Sequence, residues 1–387
     1  MSDQHIIVNE LARAADADQI AVLVSVVRTD GSTYRGVGTR MIVRADDTTA
    51  GLLSGGCLEA DLIEHAKRVR ASGVPDIVLY DTLSGDDYVW GLGLGCNGLV
   101  EVLLEPLTPD RARALSRLFH TALTNAVPTV LATVTRSSGD GAPSVGERML
   151  IDSHANNVTC EGAWDDLTML CDVRQAAISG GVNARHGLTQ DFSLNNTEVQ
   201  VAFEIVTPRV DIVLCGSGPD SVPVARMATE LGWTVTVVDH RSAAFTPHGR
   251  FAAAARIAEC PDAVRLTDVV ELSPRTAVVV MSHSYDRDLD YLDALATADV
   301  AYIGMLGPRT RTERMLGDLA ARGRLGVAKL RDRIYGPIGL DIGGDGPEAI
   351  ALSIIAEISA VVSGRSGSHL RDRSASIHGE PARVAHV

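Results

Sequence analysis

The chain has 387 residues, 45% hydrophobic and 22% charged, with a formal net charge of −14 at pH 7. That length accommodates two or three domains with sizeable cores, and the acidic balance argues against nucleic acid or an anionic membrane surface as a partner. No uninterrupted apolar run approaches the ~18 residues of a membrane span.

The first ten residues are polar and mildly acidic, unlike a signal peptide. The six cysteines, at 57, 96, 160, 171, 215 and 260, form no C-x-x-C pair and no framework spacing. Reduced thiols in a cytoplasmic protein are the expectation. A repeat runs through the first half. Val22 to Gly31, VLVSVVRTDG, matches Val130 to Gly139, VLATVTRSSG, with Arg28 and Arg136 standing 108 positions apart. Gly38-Thr-Arg-Met41 matches Gly146-Glu-Arg-Met149 at the same offset, and Val100 to Pro109 matches Val199 to Pro208 at an offset of 99. Each copy reads as strand, glycine-rich turn, strand, helix, strand. A duplicated α+β unit forming one N-terminal domain, residues 1–207, is expected.

The first copy carries unusual chemistry. Ser54-Gly55-Gly56-Cys57-Leu58-Glu59 stands where a helix over Leu58 to Arg70 begins. A cysteine there gains thiolate character from unpaired backbone N–H groups and the helix dipole. The glycines let a bulky anionic ligand reach the backbone, while the plainer reading is a small buried hydrophobe at a tight turn. Gly95-Cys96-Asn97-Gly98 is a second glycine-flanked cysteine, leading into a strand from Leu99. The second copy keeps only Cys160-Glu161-Gly162 and an Ile178 to Gly181 fragment out of register. Two cysteines do not make a zinc site, which needs four ligands.

From Asp211 the pattern changes. Ile212 to Cys215 is a buried strand, Gly216-Ser217-Gly218 a turn, Val222 to Leu231 a helix, and Thr234 to Val238 a second strand ending in Asp239. That order is the Rossmann nucleotide-binding unit, with Gly216 for the tight turn and Gly218 for approach of a pyrophosphate. Asp239 is placed to bind a ribose hydroxyl, and Arg241 stands two positions beyond. The third small position is Ser221, where glycine or alanine is usual, so looser helix–strand packing is expected there. Further strands are expected at Arg256 to Glu259, Thr276 to Ser282 and Val300 to Leu306, and helices at Asp286 to Ala298, Arg309 to Ala321 and Pro347 to Gly364. His283 falls at the carboxyl end of a parallel strand, where such sheets place ligands. Asp341, in GLDIGG, either caps the last helix or faces the cleft. The fold class is α/β: the duplicated N-terminal domain, then a Rossmann-like parallel-sheet domain at 208–364, then a polar, aperiodic stretch at 365–387 read as a disordered tail.

Together, Ser54-Gly-Gly-Cys57-x-Glu59, Gly95-Cys96-x-Gly98, Gly216-x-Gly218, SHSYDRDLDYL from Ser282, YIGMLGPR from Tyr302 and PIGLDIGG resemble the XdhC/CoxI family of accessory proteins to xanthine-dehydrogenase-type molybdenum hydroxylases. The resemblance implies a non-catalytic factor that binds molybdenum cofactor (molybdopterin), protects it and delivers it to an apo molybdenum hydroxylase. It implies a second partner too, a cofactor-supplying or sulfurating protein. A homodimer is a separate expectation, from the idea that glycine-rich lips of the two domains enclose one flat ligand. By the family's motif Cys57 is the cofactor and metal ligand, with Cys96 a second candidate, and soft thiolate suits molybdenum. The alternative is an NAD(P)-dependent oxidoreductase working in the Rossmann cleft. Against it, the sequence offers no proton-transfer pair, and His283 would serve alone.

Overall fold

The computed structural model describes residues 3–17, 19–31, 33–81, 98–125, 127–152, 158–162, 167–177, 188–194, 196–241, 250–251, 254–324 and 327–373. The described chain divides into two compact units, one ending at Pro208 and one beginning at Arg209.

In the first unit, α1 (Asp3–Asp16) leads into β1 (Ala21–Gly31), β2 (Arg40–Val43), β3 (Thr49–Gly51), α2 (Glu59–Ser72), β4 (Asp76–Asp81) and β5 (Gly98–Leu107). The order then repeats as α3 (Pro109–Thr124), β6 (Thr129–Ser138), β7 (Arg148–Asp152), β8 (Val158–Glu161), α4 (Leu167–Ala176), β9 (Leu188–Leu194) and β10 (Thr197–Val206). The antiparallel sheets have matching strand orders, β3-β2-β1-β5-β4 and β8-β7-β6-β10-β9. Even an irregularity is duplicated. Pairing of β1 with β5 shifts register between Val26 and Arg28, and pairing of β6 with β10 shifts between Val134 and Arg136. Each copy also has a leading helix and two edge strands beyond the strand-turn-strand-helix-strand pattern read from sequence.

The apolar pattern explains the layering. Leu23 and Ile42 from one sheet and Leu131 and Leu150 from the other share a core with Leu11 of α1 and Leu115 of α3. On its opposite face the first sheet buries Val22, Val24 and Val26 against Leu62, Ala66 and Val69 of α2. Strands covered on both faces read as unbroken apolar runs, which is the character of VLVSVV. Two arginines cross the central layer. Arg40 of β2 donates to Glu204 of β10 at 2.5 Å, and Arg148 of β7 donates to Glu105 of β5 at 2.5 Å. Each ion pair therefore joins one copy to the other. Both guanidinium groups lie over the Phe119 ring, 4.4 Å from its centroid for Arg40 and 5.8 Å for Arg148.

The second unit is a six-stranded sheet, parallel throughout, in the order β13-β12-β11-β14-β15-β16. Its elements are β11 (Asp211–Cys215), α5 (Ser221–Glu230), β12 (Thr234–Asp239), β13 (Arg256–Glu259), α6 (Leu266–Val269), β14 (Thr276–Val280), α7 (Tyr285–Leu295), β15 (Tyr302–Met305), α8 (Arg309–Ala321), α9 (Val327–Arg331), β16 (Ile334–Tyr335) and α10 (Pro347–Val362). That strand order is the doubly wound Rossmann arrangement, reversing direction between β11 and β14. One face packs α7 and α8 through Leu289, Leu292 and Met315, and the other packs α5 and α10 through Val224, Ile354 and Ile358. The final helix begins with Pro347 after Gly346 as N-cap, so Asp341 does not cap it. The expected tail falls mainly outside the described residues, and its described part contains a 3-10 turn at Leu370–Asp372.

Candidate functional site

The cysteine loop lies between β3 and α2. Ser54 is buried, and its hydroxyl donates to the Glu59 carboxylate at 2.5 Å while accepting the Leu58 N–H at 3.1 Å. The Ser54 N–H also donates to Glu59, at 2.8 Å. Burial pushes the Glu59 carboxyl up, but the hydrogen bonds from Ser54 outweigh it and hold the group below its usual range. Ser54 and Glu59 thus brace the turn at the head of α2. Part of the donor set that the sequence assigned to a ligand is consumed inside the loop. The middle of the loop is open. A Cβ built on Gly55 or Gly56 meets nothing within 4 Å, and Gly56 has φ +104°, a conformation that favours glycine. Cys57 follows, half-buried and reduced, on the wall of a cavity of about 40 Å³ with Tyr34, Arg35 and Tyr80. An accessible thiol beside two side-chain-free residues suits a bulky ligand approaching over the backbone. Cys96 and the Ile178 to Gly181 fragment lie outside the described residues. Among the described residues no cluster of three or more His, Cys, Asp or Glu could hold a metal ion.

The second predicted group gathers at the carboxyl edge of the parallel sheet. Gly216, at φ +137°, comes so close to the end of β14 that a Cβ would sit 2.5 Å from the Met281 carbonyl oxygen. Its missing side chain serves the contact between two strand ends. Asp239 is buried and crowded. It accepts the Ser217 N–H at 2.9 Å and the Ser217 hydroxyl at 2.5 Å, and Arg241 donates to both of its oxygens. Burial would raise this carboxyl, yet the hydrogen bonds from Arg241 and Ser217 hold it well below the usual carboxylate range. A ribose hydroxyl at Asp239 has to compete with partners already present.

Gly218 has Asp220 beside it, with the place of a Cβ 2.5 Å from one carboxylate oxygen. The other oxygen lies 2.8 Å from His283 Nε2. His283 itself has φ +61°, a strained value for a residue with a side chain. Sequence reasoning found no partner for this histidine, whereas the fold provides Asp220 from 63 positions earlier. Ser221, expected to loosen the packing, is fully buried and its hydroxyl donates to the Gly218 carbonyl at 2.7 Å. Asp341 is exposed on the loop between β16 and α10 and takes part in none of these hydrogen bonds. Gly216, Gly218, Asp239 and His283 thus share one edge, with Ser217, Asp220 and Arg241 as additions. The signal for Asp220 was its place at the head of α5, inside the glycine turn.

This arrangement defines a Rossmann-type protein that carries a separate, duplicated thiol-bearing unit. The sequence matches the XdhC Rossmann domain over residues 212–358 and the XdhC and CoxI family over residues 14–81. The chain belongs to the XdhC and CoxI family. It is 30% identical over 341 residues to a probable xanthine dehydrogenase subunit of Bacillus subtilis, covering 87% of this chain and 92% of that one. It is 25% identical over 344 residues to the molybdenum cofactor insertion chaperone PaoD of Escherichia coli, covering 88% of this chain and 83% of that one. A solved structure described as a xanthine dehydrogenase from Bacillus halodurans superposes with a TM-score of 0.73 at 30% identity, covering 96% of this chain and 98% of that one. Among the described residues, no helix is long and apolar enough to cross a membrane.

Proposed function

We propose that this chain is an accessory factor for a xanthine-dehydrogenase-type molybdenum hydroxylase, and that it binds molybdenum cofactor through Cys57, shields it and hands it to the apo-enzyme. The observation that carries the reading is the open Gly55-Gly56 approach to the half-buried Cys57 thiol. The descriptions of the Bacillus subtilis and Escherichia coli relatives support it from outside. Soft thiolate is a fitting ligand for molybdenum, and the cofactor would supply the metal and its remaining ligands. Ser54 and Glu59 hold the thiol-bearing turn against α2 so that Cys57 is presented without rearrangement. A cofactor-supplying or sulfurating protein would act before this factor and the apo-hydroxylase after it.

The test is Cys57→Ala. Affinity for molybdenum cofactor should fall by ~10-fold or more, equivalent to at least ~1.4 kcal/mol, with the circular dichroism spectrum unchanged. Equal affinity would remove Cys57 from the site.

A second reading, nicotinamide dinucleotide binding, draws on the turn at Gly216 and Gly218 and on Asp239. Calorimetry with NAD and NADP is its test, with NAD expected to bind more tightly because Asp239 repels a 2′-phosphate. Preference for NADP would mean that Arg241 governs the pocket.

A further inference from the structure

The repeat supplies an internal control for the residues around Cys57. Register carries the match between copies to their edge strands. Tyr80 pairs with Val100, and Phe192 pairs with Val199, the residue that matches Val100. Phe192 packs against the core of its copy, edge-on to Phe203 with ring centroids 6.2 Å apart. Tyr80 packs against the corresponding core of the first copy and adds a hydroxyl that donates to Asp61 of α2 at 2.6 Å. An aromatic ring at this place thus belongs to the fold of both copies. Position 34 is different. At the 108-residue offset Tyr34 corresponds to Ala142, which packs against the core of the second copy, whereas Tyr34 is 57% exposed. The repeat folds with a methyl group at this position, so the tyrosine ring is not required for folding.

Tyr34 and Tyr80 both line the cavity of about 40 Å³ that holds Cys57. Its apolar walls include Val26, Leu53 and Leu58, which belong to the side of the first sheet that packs on α2. Tyrosines and thiol therefore lie on one face of the sheet. Drug-sized ligands take ~300 Å³ or more, so a ligand that reaches the thiol lies mostly across the mouth of this space, over the open Gly55-Gly56 turn. An exposed tyrosine there offers a stacking surface to a flat ring. Its backbone is braced in advance. The Thr33 hydroxyl donates to the Arg35 carbonyl at 3.0 Å, and the Thr39 hydroxyl to the Gly36 carbonyl at 2.8 Å. A turn held this way loses little freedom when a ligand arrives. Single exposed apolar side chains are ordinary on a surface. Tyr34 is set apart by lining the cavity of the thiol and by the alanine at its matched position.

We propose that Tyr34 is a ligand-recognition residue, its ring stacking on a flat heteroaromatic group of the molecule whose metal end is held at Cys57. The inference rests on the cofactor reading above and adds the contact for the organic part. A tyrosine and a thiol on one small cavity suit a ligand whose ring and metal lie close together.

The test uses the full chain and free pterin, a fluorescent heteroaromatic bicycle that carries no metal, and reads quenching of its emission on stacking. Wild type and Tyr34→Phe should quench it alike, while Tyr34→Ala should need about tenfold more protein, the effect of losing one aromatic pair. Thermal melting of Tyr34→Ala should be unchanged, since alanine occupies the matched position. The inference falls if wild type leaves the emission unchanged or if Tyr34→Ala quenches as wild type does. It falls too if Tyr34→Phe loses as much as Tyr34→Ala, which would credit the hydroxyl and not the ring. The thiol assignment is read separately, from Cys57→Ala titrated with molybdenum cofactor. Full cofactor affinity in that variant, with loss of pterin quenching in Tyr34→Ala, removes the thiol from the site and leaves the ring contact standing.

Discussion

The two copies of the N-terminal repeat share a fold and differ in what occupies it. Both have the same strand order, and both place an arginine after a positive-φ glycine to meet a glutamate from the other copy. In the second copy the meeting point is sealed by Arg111; in the first it borders open space. The second copy also has Cys160 exposed on edge strand β8, while the first has Cys57 on an open loop. Duplication lets one copy hold the layer together while the other leaves open space at the matched place.

The largest effect should come from the sealed pair. Removing one partner of a buried ion pair costs about 3–5 kcal/mol, because the other charge is left without compensation. Glu105→Ala should fall in that range by urea denaturation. Glu204→Ala should cost less, since Arg40 borders a cavity that water can enter. A reversed order would mean that the openness of the first copy has no energetic consequence.

The glycines sharpen the same contrast at a smaller scale. A Cβ on Gly146 would crowd both Glu105 and Arg111, whereas one on Gly38 would crowd Glu204 alone, at the edge of the cavity. Both positions have positive φ, where a side chain costs roughly 1–3 kcal/mol. Gly146→Ala should therefore destabilise more than Gly38→Ala in thermal melts. Equal shifts would mean that φ strain dominates and crowding is irrelevant.

A third test is local. Ser54→Ala removes a buried hydroxyl that serves Glu59 and the Leu58 N–H, at a cost of about 1–3 kcal/mol. It should loosen the loop and speed alkylation of Cys57 by a neutral thiol reagent. An unchanged alkylation rate would mean the Ser54–Glu59 bracket does not restrain the cysteine.

The smallest expected effect is a pH dependence. Burial raises the Glu105 carboxyl, but Arg148 and Arg111 outweigh it and leave the group lowered when folded. A lowered carboxyl contributes stability that is present above its unfolded pKa of ~4.3 and is lost as pH falls through the folded value. Glu105→Gln should therefore lose less stability than wild type between pH 5 and the onset of acid unfolding. Parallel curves for the two proteins would contradict the assignment.

How much of this could be read from sequence follows from the kind of contact involved. The parallel sheet was legible because its strands are covered on both faces, so Ile212 to Cys215 and Thr276 to Val280 are unbroken apolar runs. Edge strands were not. β3 has three residues, and β4 exposes Leu79, so neither carries a periodic signal. Cys57, Ser54 and Glu59 were visible as a motif, but the bracket between Ser54 and Glu59 was not. The pairing of His283 with Asp220, 63 positions away, and of Arg40 with Glu204, 164 away, depends on tertiary structure. The aligned Arg40 and Arg148 were in plain view, but nothing local says that a repeated arginine in an apolar strand is paired across the repeat.

That exchange of partners has a consequence for how the repeat can exist. Residue i of one copy meets residue j of the other, and j of the first meets i of the second: Arg40 with Glu204, and Glu105 with Arg148. This is the self-complementary pattern of an isologous interface, the contact by which two identical subunits close on each other. A single copy is thus half of an interface, and the covalent link turns a concentration-dependent assembly into an intramolecular one. Fragments 1–107 and 108–208 should stay unfolded apart and recover structure on mixing. Independent folding of either fragment would refute this. Once both halves lie on one chain they can also mutate independently, which no symmetric assembly of identical subunits permits.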